Sequence, residues 1–147
     1  MKSEPDCFSI DDLKRVKVEP WDGVRNYQVR NMFRDVFRVG DRALFYHSNA
    51  GSETGIVGEM EVVSEAYPDP TQFDPGSDHP DPKSDPENPR WLLVDVKFVQ
   101  KFKEPVFLHD LKLDPKFSDM TVVQKGNRLS VMPVAKKHYE RVLSLAS

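Results

Sequence analysis

The stretch WDGVRNYQVRN, residues 21–31, brings an aromatic ring, a carboxylate, a guanidinium, an amide and a phenol together around one glycine. Gly23 permits a tight turn, and Asn26 is a residue type that caps helices, so the apolar spacing after it predicts a helix from Tyr27 to Arg38. Backbone N–H groups at a helix start attract acceptor atoms. The stretch therefore predicts a ligand-binding turn at which Trp21 or Tyr27 offers a flat face to a planar ligand.

The same stretch has a purely structural interpretation, which its residues alone favour. In that interpretation Trp21 and Tyr27 are core aromatics, and Asp22 and Arg25 pair with each other. The choice between the two interpretations depends on the rest of the chain.

Outward from this stretch, short strands and helices alternate without a regular strand-helix-strand pattern. Helices are expected from Ser9, Asn26 and Val134, with a short one through Leu111 and Leu113 that Pro115 ends. The first is expected to bury Ile10, Leu13 and Val16. Strands are expected at Ala43–Tyr46, Ile56–Val63, Trp91–Val99 and Arg128–Met132. This pattern predicts an α+β fold with a curved, mostly antiparallel, barrel-like sheet of roughly five to seven strands and peripheral helices.

The segment Pro68–Pro89 holds seven of the twelve prolines, with aspartates between them. Such proline density predicts a long excursion without regular structure, which Phe73 and Tyr67 are expected to order in part. Its carboxylates lack the even spacing of a calcium loop, so no metal site is predicted there.

Length and composition predict one globular domain over residues 1–147. Hydrophobic residues make up 38% and charged residues 31%, and no apolar run approaches the ~20 residues of a membrane helix. No apolar signal core follows Lys2, so the expected location is the cytoplasm, or the nucleus in a eukaryotic cell. Cys7 is the single cysteine and shares no ligand-like spacing with the four histidines, so neither a disulfide nor a structural metal is expected.

The net charge of −3 argues against a protein that coats nucleic acid by bulk phosphate attraction. Between Asp69 and Pro89 the sequence has six acidic residues and one basic residue, Lys83, which gives this segment a net charge of −5. The remainder of the chain therefore carries +2. A mildly basic face is therefore possible outside this segment. Its candidates are Arg25, Arg30, Arg34, Arg38, Lys125 and Arg128, for which ordinary solvated surface is the simpler interpretation.

Seven spaced segments make the chain resemble the EVE domain family of the PUA-like superfamily. They are KSEP (2–5), WDGVRNYQVRN (21–31), FYHSN (45–49), GIVGEMEVVSEAYPD (55–69), DPK (81–83), PRW (89–91) and NRLSVMPV (127–134). They follow the family order over nearly the whole chain. One departure is that family members usually carry a short apolar strand before KSEP, whereas here the chain begins almost at the motif.

The resemblance implies a PUA-like barrel and a non-catalytic module whose pocket recognises a modified nucleobase, such as a modified cytosine, in DNA or RNA. A flipped base needs an aromatic or apolar sandwich, together with donors and acceptors for its edge. The implied ligand-binding residues are Lys2, Ser3, Trp21, Asp22, Val24, Arg25, Asn26, Tyr27, Ser48, Asn49, Arg128 and Ser130. Nine of them are expected to converge on one concave site: Lys2, Ser3, Trp21, Val24, Arg25, Asn26, Ser48, Asn49 and Ser130. In this scheme Trp21 and Tyr27 stack on the base, and Arg25 or Arg128 suits a phosphate unless it pairs with Asp22.

The alternative is an enzyme or sensor that acts on a free modified nucleoside or a related small metabolite. Asp22 or Glu4 would be its general base, with a nearby Ser or Lys2 assisting, but no nucleophile, base and orienting group can be identified together. Catalytic residues and cofactors are therefore not assigned. Modified nucleic acid or a small planar ligand is the expected partner, and a monomer is favoured.

Overall fold

The computed structural model describes all 147 residues, which form seven strands and four α-helices. The strands are β1 (Lys2–Ser3), β2 (Val18–Pro20), β3 (Arg42–His47), β4 (Gly55–Val62), β5 (Tyr67–Pro68), β6 (Leu92–Leu93) and β7 (Asp95–Phe107). The helices are α1 (Ile10–Val16), α2 (Tyr27–Asp35), α3 (Leu108–Leu113) and α4 (Lys136–Ala146). None of the helices is long and apolar enough to cross a bilayer.

Five strands form one sheet in the order β1-β3-β4-β7-β2, and β5 pairs with β6 separately. β1 runs parallel to β3, with Lys2 opposite Tyr46, whereas β2 runs antiparallel to β7, with Glu19 opposite Val96. The predicted α+β fold with a curved sheet is confirmed, and its five-stranded sheet is mixed.

The chain divides into two compact units. Unit 1 comprises Met1–Lys17, Arg42–Met60 and Phe98–Ser147, and unit 2 comprises Val18–Asp41 and Glu61–Lys97. A single domain over residues 1–147 therefore stays a prediction.

Unit 1 has its own apolar core. Ser9 caps α1 through a capping box with Asp12, as its spacing predicts, and Ile10 and Leu13 are buried. Val16 was expected to be buried but is 41% exposed, because α1 ends there and Lys17 turns the chain with a φ of 73°. Buried side chains from three segments complete the core: Leu44, Tyr46, Ile56, Phe102, Val106, Leu111, Phe117, Met120, Val142 and Ala146.

In unit 2, Asn26 caps α2 as predicted, and its side chain accepts a hydrogen bond from the Val29 backbone N–H. Val29 and Phe33 form the buried face of this helix. α2 ends at Asp35, three residues earlier than the apolar spacing suggests, and Gly40 then turns the chain with a φ of 97°.

The segment Pro68–Pro89 is mostly irregular, as predicted, apart from Pro68 at the end of β5, one 3₁₀ turn at Pro70–Phe73 and an isolated bridge between Asp85 and Asn88. Of its two predicted anchors, Tyr67 donates a hydrogen bond from its hydroxyl to Asp95 at 2.6 Å. The other, Phe73, is 38% exposed, whereas the neighbouring Gln72 is 1% exposed. The Gln72 amide donates to the backbone carbonyls of Asp69 and Trp91 and accepts from the Trp91 backbone N–H. A buried amide with paired donors and acceptors therefore anchors this segment.

Three predicted elements differ from those in the structure. Trp91–Val99 is two strands, because the chain changes partner at Val94, whose carbonyl accepts from the Trp21 N–H. Arg128–Met132 forms no strand, and in it the Ser130 carbonyl accepts a hydrogen bond from the Lys2 N–H. The last helix begins at Lys136, two residues after Val134.

Candidate functional site

The turn before α2 is shaped by contacts that only a glycine at position 23 allows. Gly23 has a φ of 78°, and a Cβ there would lie 2.7 Å from the imidazole ring of His79. Its backbone N–H donates to Oδ2 of Asp69 at 2.8 Å. The segment after β5 therefore fixes the conformation of this turn.

Arg25 is held by protein groups from the same segment. Its Nη1 donates to Oδ2 of Asp69 at 3.1 Å, and its Nη2 donates to the His79 carbonyl at 2.7 Å and to Thr71 Oγ1 at 3.1 Å. The sequence-based pairing of Arg25 with Asp22 was wrong, since the partner is Asp69. With these donors engaged, Arg25 is a poor candidate for binding phosphate.

Asp69 is fully buried and accepts four hydrogen bonds, two at each carboxylate oxygen. Burial raises the pKa of this carboxyl, but the hydrogen bonds from Thr71, Gly23 and Arg25 outweigh burial, so the pKa lies below its usual value. The carboxylate is therefore the charged centre on which the turn and Arg25 are oriented.

Asn26 and Tyr27 both remain exposed at the start of α2. The Asn26 oxygen caps the helix, which leaves its side-chain NH₂ group directed to solvent. The Tyr27 ring is 51% exposed, lies 4.8 Å from the Trp91 ring, and has the Arg30 guanidinium 4.8 Å from its centre. Part of its aromatic surface is thus already covered by protein.

Trp21 and Val24 have the exposure of core residues, at 7% and 9%. The Trp21 backbone N–H donates to the carbonyl of Val94. Burial favours the core interpretation of Trp21, and the stacking role predicted for it remains untested.

Asp22 differs from its neighbours because its carboxylate, 40% exposed, accepts no hydrogen bond from another residue. His79 Nε2, at 3.8 Å, is too distant for one. Burial and the nearby charge of Asp69 raise the pKa of Asp22 above its usual value.

In unit 1, backbone hydrogen bonds bring together four of the predicted residues. The Lys2 N–H donates to the Ser130 carbonyl at 2.7 Å, and the Ser48 N–H donates to the Ser3 carbonyl at 3.0 Å. The Ser3 hydroxyl is engaged with the Phe8 carbonyl at 2.6 Å. β1 therefore joins the end of β3 to the residues before α4.

Asn49 and Arg128, the other two predicted residues of unit 1, are both exposed. Asn49 has a φ of 51° and donates from Nδ2 to Glu4 at 2.6 Å. Arg128 forms no ion pair, so its guanidinium is available to a phosphate. Nearby, His47 Nε2 accepts from the Ile10 N–H at 3.1 Å, and burial lowers the pKa of this histidine, which keeps it a neutral acceptor.

The predicted site residues thus form two groups, each described within its own unit. One comprises Trp21, Asp22, Val24, Arg25, Asn26 and Tyr27, and the other comprises Lys2, Ser3, Ser48, Asn49, Arg128 and Ser130. Their convergence on one concave site stays a prediction. No group of three or more His, Cys, Asp or Glu side chains is arranged to hold a metal ion.

Four residues that shape the turn were missed in the sequence: Asp69, Thr71, His79 and Trp91. Three of them lie in the irregular segment, where carboxylates between prolines look like solvated surface. The available signal was the tripeptide DPT at Asp69–Thr71, an acidic residue type that commonly caps a turn, ahead of a proline.

Comparisons with known proteins agree with the fold and with the motifs. Human thymocyte nuclear protein 1 is 42% identical over 163 residues, which cover 99% of this chain and 72% of that protein. A crystal structure of a Pseudomonas syringae protein has a TM-score of 0.94 at 46% identity, covering 100% of this chain and 97% of the other. A crystal structure of human THYN1 protein in complex with 5-methylcytosine containing DNA has a TM-score of 0.90 at 41% identity, covering 99% and 95%. The EVE domain family profile matches residues 1–145, and the chain therefore belongs to the EVE domain family.

Proposed function

We propose that this chain is a non-catalytic binding module that recognises a modified nucleobase, such as 5-methylcytosine, in a nucleic acid strand. The observation that carries the proposal is the complex of human THYN1 protein with 5-methylcytosine containing DNA, a relative that shares the fold over nearly the whole chain. The proposed location of the protein is the cytoplasm, or the nucleus in a eukaryotic cell, since nucleic acid is present in both.

The chemistry of the turn supports this proposal. Asn26 directs a side-chain NH₂ group to solvent, and Asp22 presents a carboxylate without a donor. A base edge is a set of donors and acceptors at fixed spacing, so rigidly held groups of both kinds suit it. The turn that carries them is fixed by hydrogen bonds to Asp69.

The charge distribution supports recognition of the base over attraction to the strand. The net charge is −3, and Arg25 is engaged within the protein, which leaves little phosphate attraction of the sequence-independent kind. Affinity should therefore depend on the modified base itself.

The test is fluorescence anisotropy with the full chain and labelled oligonucleotides of one sequence. Single-stranded and duplex DNA and RNA each carry either cytosine or 5-methylcytosine at one position. We expect tighter binding to a methylated strand than to its unmodified counterpart, and no new product when the same samples are analysed by mass spectrometry. Equal affinity for both strands would contradict the proposal. Binding of free 5-methylcytidine with no binding to any strand, or formation of a product, would favour a sensor or an enzyme.

A further inference from the structure

We propose that Asp22 is a specificity-determining residue, which selects a base bearing an exocyclic amino group, such as 5-methylcytosine, over thymine. This inference rests on the proposed function and assigns the part of it that distinguishes two bases with the same methyl group.

Most polar side chains of the turn already have hydrogen-bond partners within the protein. The Arg25 guanidinium donates hydrogen bonds to Asp69, Thr71 and the His79 carbonyl. The Asn26 side-chain oxygen accepts a hydrogen bond from the N–H of Val29. Among the acceptors of this turn, the Asp22 carboxylate is the one that receives no donor from another residue.

His79 is the side chain that comes nearest to supplying a donor to Asp22, with its Nε2 at 3.8 Å. Thr71 donates its hydroxyl proton to Asp69, so the 2.8 Å contact between Thr71 Oγ1 and His79 Nδ1 assigns the donor role to Nδ1. The other ring nitrogen, Nε2, lies 3.8 Å from Asp22, beyond hydrogen-bonding distance. The imidazole therefore does not supply the donor that Asp22 lacks.

This arrangement has an energetic cost. Burial and the charge of Asp69 raise the pKa of Asp22, which means that the surroundings do not stabilise its charged form. A partly desolvated carboxylate without a donor gains most from a ligand that brings an N–H group. The main chain beside Asp22 is held in place, because the Gly23 N–H donates to Asp69 and the His79 ring lies so close that a Cβ at position 23 would be 2.7 Å from it.

The two bases differ in their hydrogen-bonding chemistry. 5-Methylcytosine and thymine share the ring and the methyl group, but cytosine carries an amino donor where thymine carries a carbonyl acceptor. An ionised carboxylate is an acceptor only, so it attracts the amino group and repels the carbonyl. One such contact is worth a discrimination of roughly 5- to 150-fold.

The experiment measures the full chain against three single-stranded oligonucleotides of one sequence. The variable position carries 5-methylcytosine, thymine, or 5-methyl-2-pyrimidinone, which has hydrogen in place of the amino group. The parent protein should bind the first about 5- to 150-fold more tightly than the second, with the third also weakened. In Asp22→Asn the preference for 5-methylcytosine over thymine should fall towards one, because an amide can both donate and accept.

The matched control is Glu65→Gln, which makes the same change of charge at an exposed residue of unit 2. It should keep the parent preference, and thermal melts of both variants show whether each is folded. If a folded Asp22→Asn retains the parent preference, Asp22 is not the determinant, and the proposed function still stands. If Asp22→Asn does not fold, the test is the affinity of the parent protein for two of the oligonucleotides. Equal affinity for the 5-methylcytosine and the 5-methyl-2-pyrimidinone strands overturns the inference, and weaker binding of the latter strand supports it. If the parent binds no methylated strand, the proposed function fails and this inference fails with it.

Discussion

At the scale of single residues, the turn depends most on the Asp69 carboxylate. Asp69→Asn keeps the side-chain size but removes the charge that pairs with Arg25, which is 21% exposed. We expect a loss of about 3 kcal/mol in the free energy of unfolding, the lower end of the range for breaking a buried pair. Urea denaturation measures it. The control, Asp35→Asn, removes the partner of Arg34 in an exposed pair and should change stability little. Equal effects of the two substitutions would contradict the assignment.

The lowered pKa of Asp69 also predicts a dependence of stability on pH. Because the pKa in the folded state lies below that of the unfolded chain, this contribution is complete above the ordinary value of about 3.9 and is lost as the pH falls through the folded pKa. Urea denaturation of the parent protein and of Asp69→Asn, repeated between neutral pH and about pH 3, should show a gap that narrows on acidification. A gap that widens towards low pH would show that the sign of the shift is wrong.

At the same scale, the sequence was informative where a residue acts on its own backbone. Asn26 as a helix cap and Gly23 as a tight turn follow from residue type and position, and the structure has both. The partner of Arg25 could not be predicted, because Asp69 lies 44 residues away and six acids of one segment are equivalent in the sequence. The burial of Trp21 depends equally on residues distant in the chain.

At the scale of elements, substitutions of Asn26, the cap of α2, can distinguish its effect on stability from its effect on ligand binding. Asn26→Asp keeps an oxygen that accepts from the Val29 N–H and adds a negative charge at a helix start, so we expect parent-like stability. Asn26→Ala should lose about 0.5–2 kcal/mol. Thermal melts give the stability of each, and anisotropy with the methylated oligonucleotide gives its binding. If the exposed NH₂ group contacts the ligand, Asn26→Asp binds more weakly in spite of its stable fold. Parent-like binding by Asn26→Asp would remove Asn26 from the site.

The anchor of the irregular segment is a second prediction at this scale. Gln72→Leu removes the acceptor of the Trp91 N–H and of the Ser84 hydroxyl, at a cost of roughly 1–3 kcal/mol for each buried group, while the carbonyls of Asp69 and Trp91 keep backbone donors. Hydrogen exchange should become faster through Asp69–Trp91, whereas Phe73→Ala should leave exchange there close to that of the parent. Faster exchange in Phe73→Ala than in Gln72→Leu would restore Phe73 as the anchor.

Elements with a strong local signal could be predicted, and elements whose partners are distant could not. The apolar run at Ile56–Val63 and the capping box at Ser9 correspond to β4 and α1. Arg128–Met132 alternates like a strand, yet its Ser130 carbonyl bonds to Lys2 near the other end of the chain, a pairing that alternation cannot indicate. The break in Trp91–Val99 at Val94 has the same origin, since the carbonyl of Val94 accepts from Trp21.

At the scale of the whole molecule, the charge distribution predicts a weak dependence of binding on salt. With a net charge of −3 and Arg25 engaged, few phosphates can be neutralised, so the slope of log affinity against log salt should be shallow. Arg128 has no ion pair, and Arg128→Ala should reduce the slope by about one if it contacts a phosphate. Anisotropy at several salt concentrations measures the slope, and Arg141→Ala, which loses a pairing with Asp114, is the control. An unchanged slope in Arg128→Ala would assign this arginine to solvated surface.

The measurement that tests the central claim most directly is an amide NMR titration of the full ¹⁵N-labelled chain. Two oligonucleotides of one sequence are compared, one with 5-methylcytosine and one with cytosine at the same position. Recognition of the modified base through the turn before α2 predicts that the methylated strand perturbs the amides of Asp22, Gly23 and Asn26 at concentrations at which the unmodified strand leaves them unchanged. Equal perturbations by both strands, or binding of the methylated strand without an effect on these three amides, would contradict recognition of the base through this turn.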